Sequence, residues 1–247
     1  MKLYKADLHI HTILSPCSDL EMSPRNIISK AIERGIDIIG ISDHNSTLQC
    51  GVVKKIGQDR GLFVLCGAEV TSREEVHSLA FFENDEYLLE FQHFIDRHLA
   101  KIKNDIRLFG DQLLVDENDV ILQEVDNLLS ASLDVGIDVI EKYIHQLNGV
   151  FIPSHINRGR NSLLSQLAFI PEDLNADALE IDKKKSVQEL LEKHPQVKEY
   201  TLLKNSDSHQ IDMVGKAFSE FSINELNFNE IRMALRNEKG RKVIVEF

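Results

Sequence analysis

Histidines and acidic residues recur together at the ends of short apolar segments along this 247-residue chain. The segments are Asp7-Leu8-His9-Ile10-His11, Ser42-Asp43-His44-Asn45, Gly67-Ala68-Glu69, Val76-His77, Pro153-Ser154-His155 and Asn205-Ser206-Asp207-Ser208-His209. Imidazole nitrogens and carboxylate oxygens together suit Zn, Mn or Fe. These residue types therefore predict a site for divalent metal ions.

The spacing within two of these segments predicts where their side chains point. Alternate side chains of a strand face the same way, so His9 and His11 should project together. The same spacing relates Asp207 to His209. A single His-x-His pair is a weak signal, but repetition at successive strand ends indicates one cavity, because parallel strands converge at their carboxyl ends. Four further histidines fall on predicted surface helices or in a polar turn and are given no role: His93, His98, His145 and His194.

Strand and helix patterns alternate over most of the chain, which predicts βα units around a largely parallel sheet. Strand patterns cover residues 3–9, 36–41, 62–70, 76–82, 150–153, 178–181 and 201–205. One helix pattern runs from Ser23-Pro24 to Gly35, and a second follows a polar turn and ends at about Asp59. Further helix patterns cover residues 86–101, 138–147, 187–191 and 229–236. Residues 104–134 break this rhythm and are interpreted as an insertion with a hairpin turn at 116–119. One α/β domain over residues 1–247 is expected.

The chain is acidic, since 28 Lys and Arg residues stand against 40 Asp and Glu residues for a net charge of −12. This balance opposes a broad surface for nucleic acid or anionic lipid, but it leaves room for a small cationic pocket that binds one phosphate. The run Lys183-Lys184-Lys185 is interpreted as solvated surface.

Three cysteines, at positions 17, 50 and 66, are an odd number in a chain too large to need disulfides. This usage predicts a reducing, cytoplasmic location. The first seven residues lack the apolar stretch of a signal peptide, so secretion is not expected. The longest segment without Asp, Glu, Lys or Arg, 143–157, is shorter than the ~20 residues of a membrane helix, so no membrane association is expected either.

The segments carry their motifs in a fixed order: Asp-Leu-His-Ile-His-Thr at 7–12, Ser-Asp-His-Asn at 42–45, Gly-Ala-Glu-Val at 67–70, Glu-Val-His at 75–77, Pro-Ser-His at 153–155 and Ser-Asp-Ser-His at 206–209. In order and spacing this set resembles the polymerase and histidinol phosphatase (PHP) family of metal-dependent phosphoesterases. The resemblance extends from residue 3 to about residue 210. It implies a distorted (β/α)7 barrel that carries two or three divalent ions, usually a mixture of Zn, Mn and Fe.

Transferred motif by motif, the resemblance implies a set of metal ligands: His9, His11, His44, Glu69, His77, His155, Asp207 and His209. Glu69 bridges two metals in this assignment. One further ligand is expected in the loop 15–21, where Asp19 is assigned because a carboxylate suits the site, while Cys17 lies closer in spacing to the family's residue. Asp7 and Asp43 are expected to accept imidazole N–H groups and so fix the ring tautomers.

The activity that the resemblance implies is hydrolysis of a small phosphate ester by a hydroxide that bridges two metals. The catalytic assignments are Glu69, His155 and Asp207. A third metal, which would bind phosphate oxygens, would be held by Asp19, His44 and His77. The general acid is left unassigned.

Arg158 and Arg160 follow His155 in a loop and are separated by Gly159. A guanidinium fork can hold a phosphate bidentately, so the two arginines are assigned to the substrate, with an ordinary surface pair as the alternative. Expected substrates are mononucleotides, short oligonucleotides, sugar phosphates or a compound like histidinol phosphate.

Two other functions are compatible with these motifs. An amidohydrolase also opens with His-x-His after its first barrel strand and would hydrolyse a C–N bond, but that group uses a carboxylated lysine and a lone final Asp. A non-catalytic accessory domain of the PHP type should lack ligands, and here the set looks complete. The oligomeric state is not predicted.

Overall fold

The computed structural model describes residues 1–245 and arranges their strands in one main sheet and two small ones. The strands are β1 (Lys2–Ile10), β2 (Ile38–Ile41), β3 (Phe63–Thr71), β4 (His77–Phe82), β5 (Leu113–Val115), β6 (Ile121–Glu124), β7 (Val150–Pro153), β8 (Leu179–Glu180), β9 (Leu202–Leu203), β10 (Ser219–Ile223) and β11 (Lys242–Ile244). The helices are α1 (Pro24–Glu33), α2 (Cys50–Asp59), α3 (Asp85–His98), α4 (Ile106–Phe109), α5 (Ile137–Gln146), α6 (Leu163–Leu167), α7 (Val187–Lys193) and α8 (Phe228–Leu235). Short 3₁₀ turns lie at Pro195–Glu199 and Ile211–Met213.

The main sheet has the order β11-β10-β1-β2-β3-β4-β7 and curls into a barrel. β1, β2 and β3 are parallel, and β8 pairs in parallel with β9 in a small sheet. The N–H of Ile156, after β7, donates to the Glu180 carbonyl of β8 at 2.8 Å. The N–H of His11 donates to the Ser208 carbonyl at 3.0 Å, which brings the segment after β9 beside β1. The predicted distorted α/β barrel is confirmed.

β4 runs antiparallel to both of its neighbours, β3 and β7, and β10 runs antiparallel to β1 and β11, so the prediction of a largely parallel sheet is wrong for the main sheet. Residues 72–76 form a tight turn in which the Ser72 N–H donates to the Val76 carbonyl at 2.9 Å. This connection is too short for the crossover that a parallel strand requires. His77 therefore stands at the start of β4, and the reversal brings it to the end of the barrel where the parallel strands finish.

Two clusters of apolar side chains stabilise the barrel. One joins the sheet to the surrounding helices and includes Phe91 of α3. The other joins Phe81 and Ile152 of adjacent strands to Ile231 of α8. Strands buried on both faces read as nearly continuous apolar runs, as the sequence patterns predict. A charged residue within such a strand, like Glu69, needs specific partners.

Residues 104–134 contain α4 and an antiparallel hairpin of β5 and β6. The hairpin turn falls at 116–119, as its acidic residues predict, and the Asp116 N–H donates to the Val120 carbonyl at 2.9 Å. The Leu113 N–H donates to the Ile13 carbonyl at 3.2 Å, so β5 lies against the loop after β1. That the segment is an insertion stays a prediction.

His145 has no role in the sequence prediction, but the structure places it in an ion-pair network that links α5 to Asp177 and, through Asp177, to β7. Its Nδ1 lies 2.9 Å from Glu141 Oε1, and its Nε2 lies 3.1 Å from Asp177 Oδ2. Asp177 also accepts the Phe151 N–H of β7 at 2.8 Å. The hydrogen bond with Asp177 is the main cause that raises the pKa of His145 above its usual 6.5, although partial burial opposes it.

His145→Gln should lower the free energy of unfolding by about 1–2 kcal/mol at pH 6 and by less at pH 9. Because the pKa of His145 is higher in the folded state, its stabilising contribution is complete below the unfolded pKa of about 6.5. That contribution is lost as the pH rises through the folded pKa. Urea unfolding at both pH values measures the difference, with the exposed His93→Gln as the control. An equal loss at both pH values would contradict a role for the charged ring.

Candidate metal centre

The carboxylate of Glu69, near the end of β3, lies at the centre of a cluster of buried imidazoles. Its Oε1 lies 3.2 Å from His9 Nε2 and 3.1 Å from His77 Nδ1. The same oxygen lies 3.2 Å from His155 Nε2. These rings come from β1, from the start of β4 and from the loop after β7, so the barrel brings together segments distant in sequence.

The second oxygen of Glu69 faces two further rings. Oε2 lies 3.2 Å from His44 Nδ1 and 3.5 Å from His11 Nε2. Among the described residues, the buried Nδ1 atoms of His44 and His77 have no hydrogen-bond partner. Buried nitrogens are normally satisfied, so two such nitrogens beside a carboxylate fit the ligands of a bound cation.

Three overlapping groups of side chains have ligand atoms within 4.8 Å of one another and could hold metal ions. The groups are His9 with His11 and Glu69, His44 with Glu69 and His77, and His11 with His44 and His209. Each of His11, His44 and Glu69 belongs to two groups, so adjacent ions would share ligands. The mixed nitrogen and oxygen donors suit Zn, Mn or Fe.

Asp207, in the segment after β9, adds a second carboxylate outside those three groups. Its Oδ1 lies 3.4 Å from His9 Nε2 and 3.5 Å from His11 Nε2. The same oxygen lies 3.5 Å from His209 Nδ1. Asp207 and His155 both have left-handed backbone conformations, with φ of 47° and 32°. Such conformations cost energy in non-glycine residues and are found at functional sites.

The imidazoles keep both carboxylates ionised. Burial raises the pKa of Glu69, but His77 and His9 outweigh it and hold that pKa well below its usual range. The pKa of Asp207 is likewise held well below its usual range, because the nearby rings outweigh burial. Burial is the main cause that lowers the pKa of His11 to about 3. His11 is therefore neutral at pH 7, which is the form that binds a metal.

His9 is oriented by Glu180 of β8, a residue that the sequence prediction missed. Burial lowers the pKa of His9, but the carboxylates of Glu180, Glu69 and Asp207 outweigh it and raise that pKa well above its usual range. His9 Nδ1 lies 2.9 Å from Glu180 Oε2, which leaves Nε2 facing Glu69. Glu180 also accepts the His155 N–H at 3.0 Å. The available signal was an acidic residue at the end of a predicted strand, as for Glu69.

Asp7 accepts no imidazole N–H from a described residue, which corrects the prediction. Its carboxylate accepts the Ser206 N–H at 2.9 Å and the Gly215 N–H at 2.8 Å. Asp7 lies two residues before His9 in β1, beside the backbone of the chain that returns after β9. Burial raises the pKa of Asp7 to about 6, although these hydrogen bonds oppose the shift.

Asp43 acts on a ring only indirectly, which is a second correction. It accepts the Thr12 N–H at 2.7 Å and the Ser15 hydroxyl at 2.7 Å. The Ser15 Oγ in turn lies 3.0 Å from His11 Nδ1. Because the hydroxyl proton points to Asp43, Ser15 accepts the Nδ1–H of His11, and His11 Nε2 is left with a free lone pair. Burial raises the pKa of Asp43 to about 6.

The cluster opens into a cavity of about 680 Å³ with several cationic side chains in its wall. These are Arg158, Arg160, Lys183 and Lys184. Arg158 Nη2 lies 2.5 Å from Asp207 Oδ2, whereas Arg160 is exposed. Lys183 is half-buried and its Nζ donates to the Ser206 carbonyl. The interpretation as solvated surface is therefore wrong for Lys183, whereas Lys184 is exposed at the cavity.

Cys17 and Asp19, the two alternatives for the loop ligand, both line this cavity and are both exposed. Neither belongs to the three candidate metal groups of the described residues. Although Cys17 as a whole is exposed, desolvation of its thiol, with Glu69 as the next cause, raises the pKa of that thiol to about 12. The choice of Asp19 stays a prediction.

Comparison with known proteins connects this geometry to a family. Uncharacterized protein YqxK of Bacillus subtilis is 23% identical over 280 residues, with 100% of this chain and 65% of YqxK covered. The lesion-specific endonuclease Q of Pyrococcus furiosus has a TM-score of 0.75 at 19% identity, over 98% of this chain and 58% of that one. An amidohydrolase from Chromobacterium violaceum has a TM-score of 0.57 at 16% identity, over 86% of this chain and 90% of that one. The chain thus spans less than two thirds of YqxK and of endonuclease Q. A sequence model of the PHP domain matches residues 7–223, and this chain therefore belongs to the PHP domain family.

Proposed function

We propose that this protein is a metal-dependent phosphoester hydrolase whose substrate phosphate enters the cavity beside Glu69. Proteins with the PHP fold are metal-dependent hydrolases. The observation that carries the proposal is the convergence of five imidazoles on one buried carboxylate. Two or three Zn, Mn or Fe ions would be held by His9, His11, His44, Glu69, His77, His155, Asp207 and His209.

The residues of the chain hold the reacting groups in fixed positions. Bound divalent ions supply positive charge that polarises a phosphoryl oxygen and lowers the pKa of water. Glu180 orients His9, and Ser15 orients His11. Arg158 holds Asp207. Because the cluster is buried, these groups need little rearrangement as charge develops on the phosphate.

Two exposed cationic side chains at the cavity favour a phosphate ester over an amide. The fold alone does not distinguish these two substrates, because an endonuclease and an amidohydrolase both have a similar fold. Arg160 and Lys184 are exposed at the cavity, and neither forms an ion pair with any residue from 1 to 245. Guanidinium and ammonium groups in such positions attract an anionic ester and can bind its oxygens.

A nucleic-acid strand is the second candidate substrate. The likeness to endonuclease Q favours it. The net charge of −12 opposes a broad nucleic-acid surface, so contacts would be confined to the cationic side chains near the cavity. A small phosphate ester needs only the cavity itself and is the first candidate.

The thiols support the proposal of a cytoplasmic location. Cys17, Cys50 and Cys66 are all free. Free thiols in a chain of this size are typical of a reducing compartment. In the described part of the chain, no helix has the length and apolar character that crossing a bilayer requires.

Protein purified without chelator should contain two or three equivalents of transition metal and hydrolyse at least one phosphomonoester or phosphodiester. Glu69→Gln should lower both metal content and turnover, the latter on the order of 10³-fold, because a neutral amide cannot bridge two cations as a carboxylate does. Elemental analysis and a panel of esters measure the two effects. His93→Ala, on the exposed side of α3, should match the wild type. Less than one metal equivalent, or equal losses in both variants, would refute the proposal.

Glu180→Gln should weaken metal affinity about 10–100-fold, because the amide no longer holds His9 with Nε2 directed at Glu69. Titration calorimetry with Zn²⁺ or Mn²⁺ on metal-depleted protein measures the affinity. Glu230→Gln is the matched control, since Glu230 is also a buried carboxylate but bonds Arg241 beyond α8. Equal affinities in the two variants would show that Glu180 does not position His9.

Asp19→Asn should remove one metal equivalent or weaken inhibition by inorganic phosphate about tenfold, while Cys17→Ser should leave both unchanged. The reason is that a carboxylate matches this donor set, whereas a thiolate favours softer metals and is open to oxidation. Metal analysis and phosphate inhibition distinguish the variants. The reverse ranking would assign the ligand to Cys17 and shift the expected metals toward zinc.

A further inference from the structure

A second cavity, of about 360 Å³, lies next to the one that contains Glu69, and Arg158 lines both. It is formed by the loop after β7, by α6 and by α7 with its flanking residues. Its polar lining includes Ser165, Lys185, Ser186, Lys193 and His194. Its volume lies within the range of small-molecule sites.

The second cavity is cationic, although the chain as a whole is acidic. Lys185 and Lys193 are exposed, and neither forms an ion pair with a residue that the structure describes. Glu189 is the one acidic residue in the lining, and Arg158 is paired with Asp207, so Lys185 and Lys193 leave a formal excess of one positive charge. A cavity whose sign opposes that of the whole protein attracts an anionic group.

Three consecutive lysines connect the two cavities. Lys183 and Lys184 line the cavity at Glu69, whereas Lys185 lines the second one. The bond from Lys183 Nζ to the Ser206 carbonyl fixes the start of this run. Arg158 lines both cavities, with its Nη2 on Asp207 and its Nε 3.9 Å from Asp182 Oδ2, and its Nη1 has no ion pair with a described residue.

We propose that the second cavity binds a second phosphate group of the substrate, so that the preferred substrates carry at least two phosphates. This inference rests on the proposed hydrolysis of a phosphoester beside Glu69. A small sugar bisphosphate and an oligonucleotide both present a second phosphate near the scissile one. The same lysines and guanidinium would bind either of them.

Lys193→Glu should raise KM about tenfold for a hexose bisphosphate or a trinucleotide, and should leave KM for p-nitrophenyl phosphate within about twofold. Lys198→Glu is the matched control, because Lys198 is exposed on the neighbouring 3₁₀ turn and does not line the cavity. A rise in KM that is confined to the hexose bisphosphate or the trinucleotide supports the proposal. The substrate that shows this rise identifies the source of the second phosphate. Equal changes for all three substrates, or no change for any, would overturn it.

Binding measurements separate a failure of this inference from a failure of the proposed function. If the wild type hydrolyses no ester, the proposed function fails, and calorimetry with a hexose bisphosphate and the matching monophosphate still tests the cavity. Tighter binding of the bisphosphate, lost in Lys193→Glu but kept in Lys198→Glu, supports a phosphate subsite. Equal binding of the two sugars by the wild type overturns it.

Discussion

The attraction between the buried Glu69 carboxylate and the five imidazoles around it is the constraint on which the site depends. A buried charge costs several kcal/mol unless opposite charges or hydrogen bonds compensate it. Only 1% of Glu69 is exposed, so its compensation must come from protein groups or bound cations rather than from water. No single helix or strand can present five rings to one carboxylate. A barrel can, because the ends of its strands converge.

Local irregularities of the barrel complete this convergence. The pairing of β1 with β2 shifts register between Asp7 and Ile10, next to His9, and such irregularities change the direction of a side chain. The reversal of β4 brings in His77 without a crossover helix. The left-handed backbone at Asp207 turns a loop residue toward the same rings. Each of these three departures from a regular barrel therefore lies beside a member of the cluster.

The sequence predicts the site better than its supporting contacts. Acidic residues and histidines at strand ends can be recognised as site residues, because the strands of a barrel converge at that end whatever the conformation of the loops. Glu180 lies at such an end, as Glu69 does, but its segment is not among the motifs that carry the family resemblance, so its position was the only signal. The direction of β4 could have been deduced, since residues 72–76 are too few for a crossover. The partners of Asp7 and Lys183 depend on the chain returning after β9, and no local pattern encodes that contact. Strand β10 is absent from the predicted strands. Its five residues contain only two apolar side chains, Phe221 and Ile223, and this alternation of apolar and polar residues is too short to indicate a strand.

The strands of the barrel differ greatly in length. β1 and β3 have nine residues each, whereas β8 and β9 have two each and share two residue pairs. The free energy needed to open a segment grows with the contacts that must break, so the wall formed by β8 and β9 should open more readily than the wall that carries Glu69. Lys183 and Lys184 lie in the segment that follows β8. Because Glu180 of β8 orients His9 and accepts the His155 N–H, an opening of this wall would release two rings of the cluster together.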